Sequence, residues 1–261
     1  MARRPRLNMA GFHHIVNRGV AKERVYKCDE DKEQYLAILC KACKIYRVNI
    51  HDYCLMDNHY HLLIETTREN LSLFMRQINS NYAIYFNKKY KRTGHLWQGR
   101  YNSWYIIKEE HLYALYRYIE HNPIEAKMAK QIGEYRFTLL ATVLRDDLEV
   151  IACAKHSQIK MEIAYERIRE YLELSFTKQE LKELETRQKK KIVQKENSYG
   201  HNKEKTLYEH FGEFETKDER NIAIMNTLND GYNQAEVARY LNLSASAIAK
   251  IRKKFTFITW P

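Results

Sequence analysis

Along the first half of the chain, stretches in which apolar and polar residues alternate give way to stretches with apolar residues at helical spacing, and back again. Residues 12–17 (FHHIVN) read as a short strand closed by Arg18-Gly19. Over residues 30–46, Tyr35, Leu36, Ile38, Leu39, Ala42 and Cys43 make one apolar stripe, the mark of an amphipathic helix. Val48, Ile50, Tyr53 and Leu55 suggest a strand, Asp57-Asn58 supply turn material, and Tyr60–Glu65 (YHLLIE) form the next strand. A long helix over 71–90 carries Leu71, Phe74, Met75, Ile78, Tyr82, Tyr85 and Phe86 on one side. A hairpin-like aromatic stretch, GHLWQGRYNSWYII, follows it. A third helix then runs from Glu109 towards Asn122, where Pro123 ends or kinks it. The order is β-α-β-β-α-β with a helix added. This is the ferredoxin-like split βαβ pattern, an α+β fold with one antiparallel sheet and helices on one face.

After about residue 145 the pattern becomes all-helical, which divides the chain into a domain at 1–145 and a helical C-terminal region at 146–261. Residues 160–192 are charged and helical and end in the Lys189–Lys191 run. The polar stretch QKENSYGHNKEK reads as an exposed loop or linker, and 219–254 as a compact helical unit. Within it, NQAEVARYLNLSASAIAKIRKK (233–254) follows a helix-turn-helix rhythm. Ala235, Val237, Ala238 and Leu241 lie on the first helix, Asn242-Leu243-Ser244 in the turn, and Ile248 and Ile251 on the inner side of the second. Ser244 is placed to cap that second helix. Lys250, Arg252 and Lys253, with Ser246 and Lys254, would then face a DNA groove or backbone. The same rhythm also serves units that merely pack. The helices at 160–192 are read as docking this unit on the first domain or as mediating self-association into a homodimer.

Composition narrows the classes. The chain has 261 residues, 44% of them hydrophobic, and a mean hydropathy of −0.66. That allows a real core, and no apolar run approaches the ~18 residues of a membrane span. The basic start, MARRPRLNMAGF, lacks the apolar stretch of a signal peptide. A cytoplasmic protein without a membrane partner is the expectation. Five cysteines are an odd number for a disulfide framework, and Cys40 and Cys43 lie in an apolar helix, where they read as buried thiols. The charge is the informative quantity. Lys and Arg number 44 against 33 Asp and Glu, a net +11. Residues 1–145 hold 24 and 14 of these and residues 146–261 hold 20 and 19, so +10 of the excess belongs to the first domain. Such a bias points to a polyanion such as nucleic acid.

Two local features carry chemistry. In LMDNHYHLLIE, His59 and His61 are two apart on a strand, so both imidazoles share a face and can reach one metal ion. The alternative is a surface histidine pair. In YRYIEHNPIEA, Tyr118 and Asn122 are four apart and share a face of a helix. A tyrosine beside a metal-bound phosphate can attack phosphorus and form a phosphotyrosine. Against that stands the ordinary reading of Tyr113, Tyr116 and Tyr118 as packing aromatics in a chain with 20 tyrosines.

Together, HHIVNRG (13–19), MDNHYHLLIE (56–65), GHLWQGRY (94–101) and YRYIEHNPIEA (116–126) resemble the HUH-type tyrosine transposases of the insertion-sequence single-strand family, and most of all the REP-associated tyrosine transposases. The resemblance spans roughly residues 8–145. It implies His59 and His61 as metal ligands, Tyr118 as the nucleophile and Asn122 as the polar residue completing the metal site, where other branches carry Gln. Asp57 stands where relatives often have Pro. The cofactor implied is a divalent ion, Mg²⁺ or Mn²⁺. The partner implied is single-stranded or hairpin DNA of palindromic repeat elements. Tyr118 would stay joined to the 5′ phosphate and release a 3′-OH that can later rejoin DNA.

Arg92, His95, Trp97, Gln98, Arg100 and Tyr101 interleave charge with aromatics, a mixture that grips phosphates and stacks unpaired bases, although Trp97 and Tyr101 equally suit packing. The leader residues Arg3, Arg4 and Arg6 would reach a groove or backbone. One of His13 and His14 should face the sheet surface near the DNA, with neither read as a ligand. Two further functions compete with an active transposase: a DNA-binding regulator that no longer cleaves, and a replication- or mobilisation-type nickase.

Overall fold

The computed structural model describes residues 8–107, 109–162, 166–174, 176–177, 180, 206–212, 214, 216–230 and 232–256. They divide into two compact units, 8–43 with 48–180, and 44–47 with 206–256. Among them no helix is long and apolar enough to cross a membrane.

In the first unit, strands β1 (Gly11–Arg18), β2 (Val48–Leu55), β3 (His59–Thr66) and β4 (Asn102–Ile106) form one antiparallel sheet in the order β2-β3-β1-β4. Helix α1 (Asp29–Tyr46) joins β1 to β2 and α2 (Leu71–Lys89) joins β3 to β4, which is the expected split βαβ order. Both helices cover one sheet face. Tyr35 of α1 lies 5.0 Å ring to ring from Tyr60 of β3, and the Tyr60 hydroxyl donates to Asn79 Oδ1 of α2 at 2.8 Å. Tyr26, Tyr35, Tyr60, Tyr82, Phe74 and Phe86 are all fully buried there, so much of the tyrosine excess is core. Buried phenols need partners; the Tyr82 hydroxyl finds one in the Val25 carbonyl at 2.6 Å.

The added helix, α3 (Glu109–Glu125), lies over the other face. The helices therefore cover the sheet on both sides, not one. The reason is visible in β3, where Leu62, Leu63 and Ile64 are consecutive and fully buried, so both faces need cover. Pro123 does not end α3 at Asn122. It sits in the last turn, where the missing N–H removes a single bond, and the helix runs on to Glu125 before Lys127 turns left-handed at φ 58.

A bulge in β2 also matters to the site. Ile50 pairs with Ile64 and Asp52 with Leu63, which leaves His51 as an extra residue. His51 turns its Nδ1 to the Tyr116 hydroxyl of α3 at 3.2 Å and its Nε2 to Glu65 at 3.2 Å. The free edge of β2 is covered by residues 135–138: Leu55 N–H donates to Phe137 O at 3.0 Å and the Tyr135 hydroxyl to Leu55 O at 2.8 Å. Short helices follow at α4 (Leu139–Leu144), α5 (Leu148–Cys153), α6 (Gln158–Glu162) and α7 (Glu166–Glu173). The Arg117 guanidinium of α3 stacks on Tyr171 of α7 at 5.3 Å, and His121 bonds the Leu172 carbonyl at 2.7 Å. Helix α3 is thus clamped from both sides. All five cysteines are free thiols, with Cys40 and Cys43 buried in α1.

The second unit contains α8 (Leu207–His210), α9 (Lys217–Asn229), α10 (Gln234–Tyr240) and α11 (Ala245–Thr256) around Phe211, Ile224, Val237, Ala238 and Ile248. Reciprocal capping boxes start α8, α9 and α10, through Thr206/Glu209, Thr216/Glu219 and Asn233/Glu236. A four-residue turn, with Asn242 at φ 52, separates α10 from α11, and Ser244 Oγ accepts from Ala247 N–H at 3.1 Å to start the last helix.

Candidate active site

Strand pairing places the histidines. In β1 and β3, Arg18 is opposite His59, Val16 opposite His61 and His14 opposite Leu63, so His14, Arg18, His59 and His61 share one face. The rings of His59 and His61 are 5.1 Å apart. Helix α3 brings Tyr118 onto the same face, its ring standing edge-on to His61 at 5.6 Å and to His14 at 6.0 Å. The tyrosine and the histidine pair thus meet within one chain.

Each histidine has one ring nitrogen already engaged. His59 Nδ1 donates to Asn58 Oδ1 at 2.6 Å, and Asn58 is held in that orientation because its Nδ2 donates to the Lys22 carbonyl at 3.1 Å. His61 Nδ1 lies 3.1 Å from His14 Nε2, and the two rings are stacked at 5.4 Å. When His61 Nδ1 carries the proton and donates to His14, the Nε2 atoms of His59 and His61 both keep lone pairs for one ion. Such outer partners fix tautomer and orientation in metal sites. Burial pushes the His14 pKa down to about 3 and that of His59 down to about 4, the latter helped by the positive charge of Arg18. His61 is held well below the ordinary imidazole range by burial, with His14, His59 and Arg18 adding to it. All three are neutral at pH 7, the form that ligates metals.

Asn122 is one turn beyond Tyr118. Its Nδ2 donates to the Tyr118 carbonyl at 2.7 Å, which leaves the amide oxygen uncommitted among the described residues. The two imidazole nitrogens left uncommitted on the sheet face are a donor pair that suits a divalent ion with further positions open. Among the described residues no group of three or more His, Cys, Asp or Glu is arranged to hold a metal.

Beneath α3 lies a carboxyl pair. Asp52 of β2 and Glu120 of α3 are both buried, Glu120 accepts from Leu140 N–H at 2.9 Å, and Asp52 Oδ2 and Glu120 Oε2 have no hydrogen-bond partner among the described residues. Burial raises Asp52 far above the carboxylate range and Glu120 to about 7.

Residues 11–122 match the profile of the family described as transposase, IS200-like. That segment of the chain is therefore similar to the IS200-like transposases. A solved structure of a REP-associated tyrosine transposase bound to a REP hairpin is similar to this chain at 19% identity, over 56% of this chain and 85% of the other, with a TM-score of 0.45. No curated protein matches.

The residues proposed from the sequence for DNA contact fall into two groups. His95, Gln98 and Arg100 are exposed. Arg92 is half-buried over Phe86 and paired with Glu23 at 3.5 Å. Trp97 and Tyr101 are not presented as stacking platforms. The Trp97 ring packs on Tyr60 at 5.5 Å and its N–H is spent on the Asn79 carbonyl at 3.0 Å. Tyr101 is buried, with its hydroxyl 3.4 Å from Ser72 Oγ. Arg3, Arg4 and Arg6 lie outside the described residues. Lys250, Arg252 and Lys253 are exposed on α11 of the second unit.

Of the residues close to the histidine pair, spacing did not single out Arg18 and Asn58, and it left open which of His13 and His14 faces this surface. Alternation along β1 puts 14, 16 and 18 on one face, and that was the available signal. Only the register with β3 shows that this face is the one carrying His59 and His61.

Proposed function

We propose that this chain is a transposase-type enzyme that cuts and rejoins single-stranded, hairpin-bearing DNA through a phosphotyrosine on Tyr118. The observation that carries this reading is the placement of the Tyr118 ring against His61, on the sheet face where His59 and His61 each keep one nitrogen uncommitted.

His59 and His61, completed by Asn122, would hold Mg²⁺ or Mn²⁺, and such an ion supplies charge neutralisation at a phosphate's non-bridging oxygens. The chain's own groups do the rest. The Tyr118 oxygen forms a new bond to phosphorus while the bond to the 3′ oxygen breaks. The phenolic proton is lost and the departing oxygen leaves as a 3′-OH. One phosphodiester replaces another, so the reverse attack by a 3′-OH rejoins DNA without an outside energy source. The clamps on α3 through His51, Arg117 and His121 hold the nucleophile in place, which limits the freedom lost on reaching the transition state. The exposed cations of α11 are suited to duplex or flanking DNA.

Purified full-length protein, incubated with labelled hairpin single strands and Mn²⁺, should give a DNA adduct that survives denaturation. Tyr118→Phe should abolish it, and so should His59→Ala with His61→Ala. Absence of an adduct with the unaltered protein across a pool of palindromic hairpins would leave the chain a DNA-binding regulator and sink the enzymatic reading.

A further inference from the structure

Many basic side chains of the first unit are paired with carboxylates. Arg24 and Lys32 pair with Asp57 at 3.5 and 3.1 Å, Arg92 pairs with Glu23, Lys89 with Asp31 at 2.8 Å, and Arg136 with Asp29 and Glu33. Arg18 differs. Its side chain is exposed, and no carboxylate pairs with it among the described residues. It nevertheless stands at the end of β1 directly across from His59, on the face that carries His61 and Tyr118.

Its backbone is held on three sides. The Arg18 N–H donates to Asn17 Oδ1 at 3.0 Å, its carbonyl accepts from Gln98 N–H at 2.9 Å, and the next N–H, of Gly19, donates to Asn58 O at 2.9 Å. Gly19 lets the chain turn there, since a Cβ would overlap the Glu23 carbonyl oxygen and come within 2.7 Å of Val25. A rigid backbone thus presents an unpaired guanidinium beside two candidate metal ligands. That placement is unfavourable by itself, because a cation next to a metal site repels the ion and disfavours its loading. An anion shared by both would offset the repulsion. The charge of Arg18 is already felt at both imidazoles.

We propose that Arg18 is a catalytic residue, donating from its guanidinium to a non-bridging oxygen of the scissile phosphate and balancing the charge that builds there as Tyr118 attacks. A planar fork of N–H donors suits a phosphate better than a point charge does. This assignment rests on the reading of the site as a DNA-cleaving centre.

The test compares unaltered protein, Arg18→Gln and Arg18→Lys for three quantities: adduct formation rate on one hairpin, affinity for that hairpin, and Mn²⁺ binding followed by the resonance signal of the free ion. Arg18→Gln should slow the adduct by about 100- to 1000-fold, the loss seen when one preorganised transition-state donor is removed. Arg18→Lys should recover part of it. Hairpin affinity should change far less than rate. Mn²⁺ should bind as tightly or more tightly, because a repelling charge has gone. An Arg18→Gln rate within threefold of the unaltered protein overturns the proposal. A rate loss matched by lost Mn²⁺ binding also overturns it, by making Arg18 a structural prop. If the unaltered protein forms no adduct on any hairpin, the cleavage reading itself fails and the Arg18 assignment falls with it, a result distinct from a normal rate in the variant.

Discussion

His14 offers the sharpest check on how the histidine face is organised. It is buried at 1% exposure, stacked on His61, and supplies the atom that meets His61 Nδ1 at 3.1 Å. His14→Phe keeps a ring of similar size between His61 and Trp104 but removes that atom. Leaving one buried imidazole nitrogen unsatisfied costs roughly 1–3 kcal/mol. A phenyl ring is easier to bury than an imidazole, so the net loss of stability should stay under about 2 kcal/mol and the protein should still fold. The larger effect is on the ion. Without an acceptor for its Nδ1 proton, His61 no longer prefers the tautomer with a free Nε2. Loss of an outer-shell partner typically lowers metal affinity about 10- to 100-fold, or about 1.4–2.7 kcal/mol. Titration of the full-length protein with Mn²⁺, with and without the substitution, measures this directly. His14→Gln, whose amide oxygen can still accept from Nδ1, should retain part of the affinity. If His14→Phe folds normally and binds Mn²⁺ within twofold of the unaltered protein, the tautomer argument is refuted.

Other consequences are open to simple measurements. The buried Asp52–Glu120 pair keeps protons that the unfolded chain would release, so stability should fall as pH rises from the ordinary carboxylate range through about 7, the value to which Glu120 is raised. Glu120→Gln should flatten melting temperature against pH over that window; an unchanged slope would put the dependence elsewhere. Gly19→Ala should lower both melting temperature and adduct yield, since the added Cβ has no room beside the Glu23 carbonyl and Val25; a normal melt would show that the turn yields easily. Ser244→Ala removes the acceptor for Ala247 N–H and should cost about 0.5–2 kcal/mol locally, read as faster amide exchange in α11 with no change in the sheet.

Much of this was readable in one dimension because it depends on neighbours along the chain. The stripes of α1 and α2, the H-x-H spacing in β3 and the Tyr118–Asn122 spacing in α3 all follow from helix and strand period alone. Even the β2 bulge leaves a trace. Apolar residues at 48 and 50 and then at 53 and 55 can serve one face only if one residue is inserted between them, and His51 is that residue. The Ser244 cap is equally local.

What no local pattern contains is the pairing of distant segments. Trp97 and Tyr101 have the composition of a base-stacking stretch, yet the core under α2 takes both, because burying large rings outweighs what their neighbours in sequence suggest. The histidine pair by itself was compatible with a bare surface. It is the 47-residue separation of His14 from His61, closed by strand register, that gives His61 its partner. The same register sets an unpaired Arg18 across from His59, and packing of α3 on the second sheet face delivers Tyr118 to both. Sequence alone determined which residues share a strand or helix face, since periodicity and spacing are properties of the chain. Tertiary structure decided which nitrogens remain available and which cation stands beside them, because hydrogen bonding and burial depend on what the fold brings into contact.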